Sequence, residues 1–104
     1  MPFFDHLFSH TSFSPEHQVA TSLYESDALT LMLLGFEPGQ CIPEHAGPAG
    51  AFYVVEGQGW ISIDGKRQEV GPGTVAVAPE NARRGIEAKT RLALLVSRGK
   101  HNAS

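Results

Sequence analysis

Residues 51–78 read AFYVVEGQGWISIDGKRQEVGPGTVAVA, and the fold is decided in this stretch. Ala51–Glu56, Trp60–Asp64 and Thr74–Ala78 each have the length and the β-branched or aromatic content of a strand. Within WISID, Ile61 and Ile63 fall on one face. The punctuation is as informative as the strands. Glu56-Gly57-Gln58-Gly59 and Gly71-Pro72-Gly73 read as turns, and Asp64-Gly65 between WISI and KRQEV is a two-residue hairpin signal.

Outward from this stretch the pattern repeats. Gln18–Ser26 alternates loosely through Val19, Thr21, Leu23 and Glu25, Ala28–Glu37 is dense in leucine, and Arg91–Ser97 reads RLALLVS. No stretch after residue 17 offers a capped helical period. Short strands with turn signals every eight to twelve residues predict an all-β protein built as a small antiparallel barrel. With 104 residues there is room for one core. The expected division is an aromatic-rich arm at 1–17 and a barrel at 18–104. In the arm, Phe3, Phe4, Leu7 and Phe8 would share one face of a short helix, or form an extended arm. Such bulky side chains are expected to be buried, on their own barrel or across a dimer.

Composition excludes several functions. The formal charge is −3 and the basic residues Lys66-Arg67 and Arg83-Arg84 are only pairs, so nucleic acid is not an expected partner. The longest apolar run, Leu29–Phe36, is far short of the ~20 residues of a membrane span. Asp5, His6 and His10 stand where a signal peptide would be apolar. The single cysteine, Cys41, excludes an internal disulfide and fits a reducing compartment, so a cytoplasmic protein is expected. Its apolar neighbourhood predicts a buried, inert thiol. Cys41 and His45 have no orienting third group, and Gly57-Gln58-Gly59 leads into a strand rather than a helix, so neither nucleophilic catalysis nor a phosphate loop is supported.

Two stretches sharpen the fold. The first is Pro38–Gly47 (PGQCIPEHAG) followed by Ala51–Gly57 (AFYVVEG); the second is Gly71–Arg84 (GPGTVAVAPENARR). Gly39 stands six before His45, Gly73 six before Pro79, and Arg84 five after Pro79. Together these resemble the two motifs of the cupin superfamily, over about residues 18–97. The resemblance is to its small single-domain bacterial members (conserved-barrel, RmlC-like proteins). It implies a double-stranded β-helix, or jelly-roll, with a divalent transition metal held in the barrel mouth by three histidines and a glutamate. Here His45 fills the first ligand position, Gly47 the second, Gly50 or Ala51 the glutamate position, and Arg84 the third histidine position. Glycine has no ligating side chain, and a guanidinium stays protonated and repels a cation. No resident metal and no cofactor are therefore expected, unless His6, His10 or His17 of the arm supplied a ligand.

Arginine in a ligand's place changes the sign of the site. Its fork of donors suits a carboxylate or phosphate. The expected function is a metal-free cupin that binds a small anion through His45 and Arg84, with Phe52, Tyr53 and Trp60 as candidate walls. An activity is not favoured. The alternatives are a metal-dependent enzyme of dioxygenase or isomerase type with atypical ligands, and a structural dimerisation module. A homodimer is expected, since two-fold dimers are the commonest assembly.

Overall fold

The computed structural model describes residues 3–99 and is all-β apart from one short 3-10 turn. The ends of the expected arm and barrel, residues 1–2 and 100–104, lie outside the described residues. Nine strands follow in order: β1 (Val19–Glu25), β2 (Leu29–Phe36), β3 (Cys41–Ala46), β4 (Gly50–Glu56), β5 (Gly59–Ile63), β6 (Lys66–Val70), β7 (Val75–Ala78), β8 (Arg83–Ala88) and β9 (Leu92–Gly99). They form a five-stranded sheet, β1-β2-β9-β4-β7, and a four-stranded sheet, β3-β8-β5-β6, with antiparallel pairing throughout. This is the expected double-stranded barrel.

The period of two places one face of each strand inside. Leu34 and Phe36 of β2, Leu92, Leu94 and Val96 of β9, Phe52 and Val54 of β4, Ile61 of β5 and Ile86 of β8 form one core cluster. Fully enclosed Phe36, Leu92, Leu94 and Val54 each contribute roughly 1.5–3 kcal/mol by leaving water. The Asp64-Gly65 turn has positive φ at both residues, 49° and 82°, as the two-residue hairpin demands.

Two strands, β3 and β8, do not show in the hydrophobic pattern, and they pair with each other. β3 contains Pro43, which lacks an N–H, and it tolerates proline because it lies at a sheet edge with an irregularity between Ile42 and His45. In β8, Arg83, Arg84 and Gly85 hide the alternation. Cys41 is exposed rather than buried, because it alternates with inward-facing Ile42 on this edge strand.

The arm packs on its own barrel. Ser12 lies so close to Gly35 of β2 that a side chain at 35 would run into its carbonyl oxygen. Gln40 Nε2 donates to Ser14 O at 2.8 Å, and the Arg91 guanidinium sits 4.4 Å above the Phe13 ring. The expected helix is only a four-residue 3-10 turn, Leu7–His10, with no side-chain cap. One short uncapped turn cannot propagate. Phe3 is 76% exposed, and Phe4 and Phe8 are exposed too, so these three rings are not buried on their own barrel.

Arg91 also clamps Glu37 through both carboxylate oxygens, at 2.7 and 3.1 Å. This hydrogen bonding holds the Glu37 carboxyl below its ordinary value of 4.5. A carboxylate depressed in the folded state stabilises above its unfolded pKa and loses that contribution as pH falls through the folded one. The clamp is therefore expected to persist through pH 4.5 and to open only below it. Phe13 ring-proton shifts followed against pH should move only in that acid range, and Glu37→Gln should abolish the movement.

Candidate functional site: a cationic rim

At one end of the barrel the registers assemble two facing rows. In the four-stranded sheet, Arg84 is the Cα partner of both His45 and Ile63, and Ile63 is the partner of Lys66. In the five-stranded sheet, Arg98 is the partner of both Thr30 and Gly50. Partners directly opposite share a face. Arg84 lies two residues before core residue Ile86, so it points inward and is only 4% exposed. Its neighbour Arg83 points out and reaches Glu44 O at 3.0 Å.

The Arg84 guanidinium makes no ion pair among the described residues. Its Nε donates to Ala82 O at 2.8 Å, and Nη2 donates to Gly47 O at 3.1 Å and Pro79 O at 3.3 Å. It therefore stitches the β3–β4 loop to the β7–β8 loop. These bonds leave Nη1 uncommitted. Burial lowers the Arg84 pKa, and the nearby positive charge of Arg98 lowers it further, while Asp64 opposes both. A buried cation held by carbonyl dipoles and facing a second cation is a local excess of positive charge.

The structure separates the expected site residues. His45 is exposed at the rim, its Nδ1 3.1 Å from Pro43 O. A carbonyl only accepts, so Nδ1 is the donor, and in the neutral imidazole Nε2 is the free acceptor. Phe52 is buried in the row directly below Gly50 and Arg98, and floors the rim. Tyr53 and Trp60 do not wall it. Tyr53 is 41% exposed on the outside of β4, one residue out of phase with Phe52. Trp60 alternates with core residue Ile61 and lies outside, under the Arg67 guanidinium at 4.6 Å. Sequence reading missed Arg98 and Lys66. The signal for Arg98 was present, because the inward series Leu92, Leu94, Val96 runs on to it.

The residues present do not fit the metal that the motif resemblance implies. A Cβ at Gly47 would lie 3.3 Å from Arg84 Nη1, so the guanidinium already fills the space an imidazole there would need. Gly50, not Ala51, faces inward at the glutamate position, as its neighbour Phe52 does. No three His, Cys, Asp or Glu side chains come together among the described residues. The arm segment from Thr11 to Ser14 contacts Gly35 and Gln40, at the opposite end of the barrel from Arg84.

A nine-stranded barrel of two antiparallel sheets, with a polar rim at one end, defines a small double-stranded β-helix protein. The family model for the cupin domain matches residues 32–97, more than half of the chain, and the chain belongs to that family. Among solved structures it is similar to TT1209 from Thermus thermophilus, with 22% identity, a TM-score of 0.88, and coverage of 97% of this chain and 100% of that one. An RmlC-like cupin protein from Desulfovibrio desulfuricans has 26% identity and a TM-score of 0.84, over 93% and 95% of the two chains. KdgF from Halomonas sp. has 18% identity and a TM-score of 0.78, over 86% and 84%. No curated protein matches the chain.

Proposed function

We propose that this cupin is a metal-free binding protein that holds a small anion, a carboxylate or phosphate, at the rim between Arg84 and Arg98. One observation carries the reading: a guanidinium that is 4% exposed donates only to backbone carbonyls among the described residues, and Arg98 of the other sheet lies near enough for its charge to be felt there. An anion placed there gains charge-assisted hydrogen bonds from Nη1 and from Arg98, and relieves the repulsion between the two cations. His45 adds a further polar group at the edge.

Arg98 is the residue to change, because among the described residues no hydrogen bonds from it tie loops together as those of Arg84 do. Titration calorimetry with acetate and with inorganic phosphate is expected to show binding to the wild type that weakens with salt. Arg98→Ala is expected to lose about tenfold or more in affinity, of the size of one charge-assisted contact. His45→Ala should lose less. Absence of binding by both anions, or an Arg98→Ala variant that binds as well as wild type, would overturn the reading.

A further inference from the structure

The row that carries the rim cations ends at Lys66 on β6, the last strand of its sheet, while β7 is the last strand of the other. No ladder closes the seam between these two edges, and a cleft of about 190 Å³ opens there. Ile61, Ile63, Val70 and Ala76 give it an apolar wall, with Gln68 and Lys66 beside them. Ile63 is the Cα partner of Arg84 and of Lys66, so the cleft begins one strand spacing, ~4.8 Å, from the strand of the buried guanidinium.

We propose that this cleft takes the apolar body of the anion whose charged end lies at the rim, which makes the ligand a monocarboxylic acid with a short hydrocarbon part. The inference rests on the reading of the rim as an anion site. Size sets the length: at ~30 Å³ for each water-sized group, the cleft holds roughly six such groups. Charge sets the class. Among the residues that line the cleft, Lys66 alone is charged, and it is a cation at the rim end. A second carboxylate at the far end of the ligand would be desolvated against Ile61 and Val70 with no partner, which disfavours a dicarboxylate. Bare phosphate would leave the cleft unfilled.

Calorimetry on the full chain with acetate, hexanoate and adipate tests this. Hexanoate is expected to bind about tenfold or more tighter than acetate, because its extra methylenes leave water, and adipate is expected to lose most of that gain. Two fillers are used, Ala76→Leu inside the cleft and Gln68→Phe on the exposed strand β6, so that one folding failure does not end the test. Each is expected to remove the advantage of hexanoate while acetate binding stays unchanged. Equal affinity for acetate and hexanoate, or fillers that leave the advantage intact, would overturn the inference and leave the rim reading standing. Failure of all three acids and of phosphate would overturn the rim reading, and this inference with it.

Discussion

Replacing Arg84 by methionine is expected to lower the melting temperature by on the order of 10–20 °C. Three charge-assisted bonds are lost together, to Ala82 O, Gly47 O and Pro79 O, although Gly47 O keeps the Asn81 N–H and Pro79 O the Ala82 N–H. A hydrogen bond to a charged group contributes about 1.5–3 kcal/mol, less where water can replace it. Methionine fills much of the volume and removes the burial of a charge, which offsets part of the loss. A net cost of roughly 2–4 kcal/mol remains, and in a domain of this size each kcal/mol shifts the midpoint by about 4–8 °C. Arg84→Lys should fall between, since one ammonium cannot reproduce the planar fork. Arg98→Ala, which breaks no such stitching, should stay within a few degrees of wild type. Differential scanning calorimetry on the set decides the matter. If Arg84→Met melted with wild type, the two loops would be held without the guanidinium.

The second large effect is a gain. The double substitution Gly47→His with Arg84→His is expected to create a site for a divalent transition metal of micromolar affinity or better. Gly47→His alone would force a side chain against the Arg84 guanidinium, because even its Cβ would stand 3.3 Å from Nη1. Arg84→His alone would clear the cation but leave only two imidazoles. Together they present three, with His45 already offering a free Nε2, and three histidines with an open position are an ordinary zinc ligand set. Equilibrium dialysis with Zn²⁺ or Ni²⁺ should show one ion per chain in the double variant, with metal-dependent stabilisation of about 2.7 kcal/mol at a hundredfold excess over Kd. Wild type and both single variants should show neither. A double variant that folds and takes up no metal would mean that positions 45, 47 and 84 do not converge, and the account of the rim would need rebuilding.

How far the sequence reaches differs from strand to strand. β4, β5 and β7 are legible from their β-branched and aromatic content, and β6, KRQEV, only from the Asp64-Gly65 turn that precedes it. β3 and β8 are hidden, the first by Pro43 and a bulge, the second by two arginines and a glycine. These two strands carry His45 and Arg84, so pattern is weakest where the site is built. Motif spacing recovers that Arg84 replaces a ligand, but not that its Nε and Nη2 are spent on its own loops. Phe52 and Tyr53 could be told apart only once one of them was known to face inward. Trp60 misled because aromatic content does not say which face of a strand it lies on. The arm was read by its hydrophobicity, yet its firmest contacts are made by Ser12, Phe13 and Ser14, where backbone shape and one cation–π contact decide.

The poor ladder of β3 has a consequence for how the barrel breathes. β3 has one neighbouring strand, its register to β8 shifts between Ile42 and His45, and Pro43 brings no amide hydrogen. The free energy needed to lift it is a fraction of that for global unfolding, because little of the core cluster goes with it. His45 and Arg84 are Cα partners, yet they belong to different opening units. One rides on a strand that can detach alone, and the other is fastened through three carbonyls to the loops. Slowed amide exchange along β3 would then be the earliest sign of occupancy at the rim, well before the core strands register any change.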